Sequence, residues 1–134
     1  MINTLRQHAI TAANRAYSPY SEAKVGSAVL TTNDQIYSGC NIENSSFGAT
    51  ICAERSAIAQ MISKQGKAHI DKVYIYTRAG WPPCGLCRQV ISEFATPSTE
   101  IIIGNEEGEE KHLPFSDLFP LGYTAEEYQK NKTI

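Results

Sequence analysis

No run of this 134-residue sequence approaches the roughly 20 apolar residues needed to span a bilayer, and its start lacks a charged stretch followed by an apolar one. A membrane span and a secretory signal are therefore not expected, and the reading is of a cytoplasmic protein. Basic excess is missing as well: 12 Lys and Arg stand against 14 Asp and Glu, a formal net charge of −2. Without a positive field there is little to grip a phosphate backbone, so no nucleic-acid partner is expected and a small neutral substrate fits better. Repeats, low-complexity tracts and linkers are absent, which leaves one continuous domain over 1–134. A chain of this length buries about two thirds of the surface that its unfolded form exposes, enough for one core. Cysteine is sparse at four residues, and in a reducing compartment such cysteines serve metal binding or catalysis more often than disulfides.

Three of those cysteines have the spacing of ligands. Cys52-Ala53-Glu54 is followed 30 residues later by Pro83-Cys84-Gly85-Leu86-Cys87. Three thiolates satisfy three positions of a four-coordinate zinc and leave the fourth for water, the feature that separates catalytic from structural zinc. A fourth cysteine ligand would close the site. Cys40, however, lies in the alternating run Tyr37-Ser38-Gly39-Cys40-Asn41-Ile42, which reads as a strand, so it is expected to be a small buried residue.

Apolar periodicity places these residues on elements. Leu5, Ala9, Ala12, Ala13 and Ala16 mark an amphipathic helix over 3–16. Strands over 24–32 and 35–41 flank the turn pair Asn33-Asp34 and predict a hairpin. A helix over about 52–64 stops near Gly66, a strand follows over 72–77, and Leu86, Val90, Ile91 and Phe94 stripe another helix. Ile101 to Ile103 is a short strand, with a fifth near Glu110 to Leu113 and a solvated turn over 106–110 between them. This alternation predicts an α/β fold of three layers, α/β/α, around a mixed sheet of about five strands.

Helix geometry then constrains the metal. Cys84 and Cys87, three apart, share a face, but Cys52 and Glu54, two apart, lie about 200° around a helix. They can converge only over its N-terminus, with Cys52 opening the helix and Glu54 reaching around from the first turn. Two helix N-termini would then favour the ionised thiols. Three thiolates on a divalent ion leave a net charge near −1, which Arg55 and the helix dipoles can offset. From position alone Arg55 is equally a solvated surface charge, and Glu54 could be a first-turn acid stabilised by the dipole.

Three cysteines with a non-ligand Glu and a P-C-x-x-C pair form a zinc deaminase signature. Together with Pro19-Tyr20-Ser21, Val25-Gly26, Gly39-Cys40-Asn41-Ile42-Glu43-Asn44, Ile51-Cys52-Ala53-Glu54-Arg55 and Pro83-Cys84-Gly85-Leu86-Cys87-Arg88-Gln89-Val90, the chain resembles the small homotetrameric cytidine deaminases over about residues 5–128. The resemblance implies one Zn²⁺ per chain on Cys52, Cys84 and Cys87, and hydrolytic deamination of cytidine and deoxycytidine in pyrimidine salvage. It gives Glu54 the role of proton shuttle between water, the N3 of the cytosine ring and the departing amine. It implies that Arg55 hydrogen-bonds the ligand sulfurs, that Asn41 and Glu43 hold the ribose 3′-hydroxyl, and that the Ala53 backbone faces the base. Phe47 and Tyr123 match aromatic positions that complete a neighbouring subunit's pocket in a tetramer, although each could be interface packing.

One position departs from the family. After Pro19-Tyr20-Ser21 an aromatic usually packs on the pyrimidine, whereas this chain has Ala23. Trp81, its only tryptophan, either refills that space or packs on its own fold. A deaminase of larger aminopyrimidine nucleosides, similar to the blasticidin S deaminases, is the alternative enzyme; a non-catalytic zinc module or a CxxC redox protein would leave Glu54 unexplained. His8, His69 and His112 stand away from the motifs and are expected in surface or packing roles.

Overall fold

The computed structural model describes residues 1–132. Helix α1 spans Ile2–Ala13, strands β1 and β2 span Gly26–Thr31 and Ile36–Cys40, and a 3-10 turn at Phe47–Ala49 leads to α2, Ala53–Gln65. Strand β3 (Ile70–Tyr76), helix α3 (Gly85–Phe94), strands β4 (Ala95–Gly104) and β5 (Glu110–Pro114), and helices α4 (Phe115–Leu118) and α5 (Ala125–Lys132) follow. The five strands form one sheet in the order β2-β1-β3-β4-β5. Only β3 and β4 run parallel, with Val73 opposite Ile101 and Ile75 opposite Ile103; the other neighbours are antiparallel. Parallel neighbours need a crossover between them, and α3 supplies it.

Strand alternation divides the core between the two sheet faces. Ala28, Leu30, Tyr74 and Ile102 join Leu5 and Ala9 of α1 on one side. Their neighbours Val29, Val73, Ile75, Ile101 and Ile103 join Ala57, Ile58 and Met61 of α2 and Ile91 of α3 on the other. With helices on both faces every residue of β1 is buried, which is why that strand reads Gly-Ser-Ala-Val-Leu-Thr without a charge. The expected three layers and mixed five-stranded sheet are thus observed.

Two glycines let the layers approach. A Cβ on Gly26 would come within 1.8 Å of the Ala9 carbonyl oxygen in α1, and one on Gly39 within 2.5 Å of the Ala57 nitrogen in α2. Both helices therefore sit directly on strand backbone. Helix α1 ends before the expected residue 16, because 14–16 close into tight turns onto the Ala12 and Ala13 carbonyls. Strand β4 is much longer than Ile101–Ile103; it begins at Ala95 opposite Ile70, with an irregular register before Lys72 pairs with Glu100. Cys40 closes β2 and is only half-buried, not the buried residue expected. No helix among the described residues is long and apolar enough to cross a membrane.

Candidate active site

Helices α2 and α3 open at the same end of the sheet. An antiparallel bridge between Ile42 and Ile51 delivers the chain into α2, and Cys52 is its N-cap, extended at φ −75° and ψ 156°. At the other helix Thr77, just past β3, accepts hydrogen bonds through Oγ1 from the Gly80 and Trp81 nitrogens at 2.8 and 2.7 Å. That turn needs Gly80 at φ 80°, a left-handed conformation that glycine adopts freely. The chain then reaches Cys84, which is the N-cap of α3, with Cys87 in the first turn.

The three sulfurs converge within 4.8 Å of one another, and Cys52 Sγ lies 3.7 Å from Cys84 Sγ. With zinc–sulfur bonds near 2.3 Å, tetrahedral ligands sit about 3.8 Å apart, so the donor set fits zinc. Hydrogen bonding from Cys87, reinforced by Arg55 and Cys84, pulls the Cys52 pKa down to about 5, while the hydrogen bond with Cys52 and then burial push the Cys87 thiol up. A divalent cation bound here would displace the thiol protons. Arg55 Nη2 donates to Cys52 Sγ at 3.4 Å and to the Thr50 carbonyl at 3.3 Å. Its Nε is buried without a hydrogen-bond partner, an unused donor in the same shell.

Glu54 is 4 % exposed and belongs to the first turn of α2. Burial, joined by the nearby Cys52 thiolate, raises its pKa to about 7. A carboxyl so placed exchanges protons near neutral pH, as a general acid–base must.

Cys52, Cys84 and Glu54 line a cavity of about 280 Å³ with Asn41, Glu43, Ala53, Ala23 and Trp81. Asn41 is 7 % exposed and anchored through both ends of its amide: Oδ1 accepts from the Val25 nitrogen at 3.0 Å, and Nδ2 donates to the Ala23 carbonyl at 2.8 Å. Glu43 accepts from the Tyr20 and Ser21 nitrogens at 3.0 and 3.1 Å and from the Ser21 hydroxyl. Ser21 holds the Glu43 carboxyl below its usual pKa, so it is an ionised acceptor. Asn41 and Glu43 thereby shape the segment 20–25 that walls the cavity. Trp81 stands in this wall, half-exposed, beside Ala23.

Phe47 and Tyr123 do not line this cavity. Phe47 is 72 % exposed and meets Tyr20 edge-on at 5.4 Å; Tyr123 is held through its carbonyl by Gln89 Nε2 at 2.6 Å. Arg88 was not read as a site residue, yet it fastens the ligand loop, donating to the Pro83 carbonyl and the Leu118 carbonyl at 2.9 Å each. Thr77 acts through contacts to backbone nitrogens that have no sequence signal of their own.

A buried carboxyl and three convergent thiols over two helix N-termini, on a mixed sheet packed on both sides, define a zinc hydrolase of the deaminase type. The chain belongs to the family described as "Cytidine and deoxycytidylate deaminase zinc-binding region", whose sequence model matches residues 2–104. It is 42 % identical over 117 residues to a cytidine deaminase of Mycoplasma pneumoniae, covering 85 % of this chain and 87 % of that one. A cytidine deaminase of Halalkalibacterium halodurans is 38 % identical over 125 residues, 92 % of this chain and 94 % of its own. The crystal structure of cytidine deaminase from Burkholderia pseudomallei superposes with a TM-score of 0.87 at 32 % identity, over 92 % of this chain and 99 % of that one. That from Mycobacterium tuberculosis gives 0.80 at 32 % identity, over 91 % and 96 %.

Proposed function

We propose that this chain hydrolyses cytidine and deoxycytidine to uridine and deoxyuridine with release of ammonia. The observation that carries the reading is Glu54, buried beside three converged sulfurs with its pKa raised to about 7. Cys52, Cys84 and Cys87 would hold a zinc ion, which would supply a Lewis acid. Glu54 accepts a proton from the attacking water, passes it to N3 of the ring, and delivers the second to the amine as the C4–N4 bond breaks. Arg55 offsets the negative charge that three thiolates impose on the site. Ala53, fully buried at the start of α2, leaves room for the base to approach the backbone.

At the far end of the cavity, Asn41 and the ionised Glu43 receive the ribose 3′-hydroxyl. Asn41 spends one N–H and one acceptor position on Ala23 and Val25, which leaves it a second N–H for a ligand. That contact is common to ribose and deoxyribose. The working protein is a homotetramer in the cytoplasm that serves pyrimidine salvage, and Phe47 and Tyr123 each reach a neighbouring subunit's pocket. Exposed Tyr17, Tyr20, Ile42, Phe47 and Ile51 gather beside the cavity mouth and supply an apolar surface for such a contact.

The test is ammonia release from cytidine, deoxycytidine, cytosine, cytidine monophosphate and blasticidin S. Turnover of the two nucleosides well above the others is the expected result. Preference for blasticidin S would move the chain to the alternative deaminase, and no release from any of them would overturn the reading.

A further inference from the structure

The loop between β3 and α3 carries two kinds of residue: Trp81 and Pro82, which line the cavity of about 280 Å³, and Cys84, which brings a sulfur to it. Each end of the loop is held by a different contact. At the far end Pro83 is buried and its carbonyl accepts from Arg88 Nε at 2.9 Å, so the approach to Cys84 is fixed from α3 itself. At the near end the Arg78 carbonyl accepts from the Glu106 nitrogen at 3.2 Å, which ties residue 78 to the turn after β4.

Between these ends the backbone has one support. Among the described residues, the only hydrogen bonds made by 79–82 run from the Gly80 and Trp81 nitrogens to Thr77 Oγ1. Thr77 can hold both because a hydroxyl oxygen has two acceptor positions. Its own place is fixed: it is 3 % exposed, follows directly on β3, and donates through its nitrogen to the Gly104 carbonyl at 3.3 Å. Trp81 by contrast is half-exposed and follows the left-handed Gly80, so packing holds its ring on one side only.

Resting on the reading of the cleft as a cytosine nucleoside site, we infer that Thr77 is a positioning residue for substrate binding: its hydroxyl oxygen keeps Trp81 in the wall that the nucleoside meets, and the metal ligands do not depend on it. The consequence is a split between binding and chemistry. Without the oxygen the loop samples other arrangements, the competent fraction falls, and apparent affinity falls in proportion. Two backbone hydrogen bonds support a loss of about tenfold. Saturating substrate restores the competent arrangement and Arg88 keeps the approach to Cys84 in place, so turnover of the bound complex is preserved.

Steady-state kinetics on cytidine with metal-loaded Thr77→Val and Thr77→Ser test this. Valine keeps the shape and removes the acceptor, whereas serine keeps the acceptor. Thr77→Val should raise the KM for cytidine and the inhibition constant of uridine by about tenfold, with kcat within about threefold of wild type and zinc still at about one per chain. Thr77→Ser should stay within about twofold of wild type in every one of these. In a Trp81→Ala background Thr77→Val should add less than about threefold, because the residue it acts through is gone. Amide exchange in the wild-type protein reads the same contacts without substitution: the Gly80 and Trp81 amides should exchange more slowly than that of Ala79, and more slowly again with uridine bound. Should Thr77→Val fail to fold, that measurement decides alone. The inference is overturned by an unchanged KM, by a loss that falls on kcat or zinc content, by Thr77→Ser as impaired as Thr77→Val, by the full effect persisting without Trp81, or by unprotected Gly80 and Trp81 amides. Absence of cytidine turnover by the wild-type protein would instead sink the underlying function.

Discussion

Replacing Glu54 by Gln should cost activity and return stability, and both sides can be worked from the structure. Burial of the carboxyl raises its pKa from 4.5 to about 7. Holding it ionised above neutral pH thus costs about 3 kcal/mol, at about 1.4 kcal/mol for each tenfold change in proton affinity. An acid with a folded-state pKa above its unfolded one binds more protons when folded, so wild-type stability falls as pH rises from about 4.5 through about 7 and stays lower beyond. Glutamine is neutral throughout and has nearly the same shape. Urea unfolding of the zinc-free protein at mildly alkaline pH should therefore show Glu54→Gln more stable than wild type by about 2–3 kcal/mol, the gap narrowing as pH falls through the Glu54 pKa. In the zinc-loaded protein kcat should drop by about 10²-fold or more, since general acid–base catalysis contributes about 10²–10⁴. A variant less stable than wild type would refute the burial argument, and one retaining more than about a tenth of the turnover would refute the shuttle.

Zinc content separates the cysteines: Cys40→Ala should keep about one metal per chain and Cys84→Ala should lose it, and equal losses would discard the three-sulfur set. Arg55→Gln removes the 3.4 Å contact to Cys52 and should weaken zinc affinity or activity by about 10–100-fold, read by competition with a chelating dye. Gly39→Ala forces a methyl to within 2.5 Å of the Ala57 nitrogen, so α2 must shift; a loss of about 1–3 kcal/mol in unfolding free energy with a fall in activity is expected, and an unchanged melting curve would contradict the close approach.

The layers and the sulfurs were legible because both rest on local signals. Period-2 and period-3.6 patterns placed five strands and three helices, and Cys-x-Glu with Cys-x-x-Cys fixed where α2 and α3 must begin. What escaped was long-range or unpatterned. Nothing in Ala95–Glu100 is apolar enough to announce a strand, and those residues are drawn into β4 by pairing that begins opposite Ile70. Helix α5, Ala-Glu-Glu-Tyr-Gln-Lys-Asn-Lys, has no apolar stripe to read. The strand order and the single parallel pair depend on crossovers. Around the site, the hold of Asn41 on residues 23–25 and of Arg88 on the Pro83 carbonyl are side-chain-to-backbone bonds across 16 and 5 residues, and residue type alone does not predict them. Ala23 stands as a gap in a pattern; only the structure shows that it lines two cavities, of about 280 and 600 Å³.

Trp81 gives the molecule an optical handle. It is the sole indole in the chain, half of it faces solvent, and it lines the cavity at Cys52, Cys84 and Glu54. Selective excitation of that ring therefore samples the mouth of the cleft and little else. A nucleoside that enters displaces water from one face of the indole, and its emission moves to shorter wavelength or is quenched by stacking. Ligand occupancy can then be titrated without label or coupled enzyme, in variants such as Glu54→Gln that bind but turn over slowly.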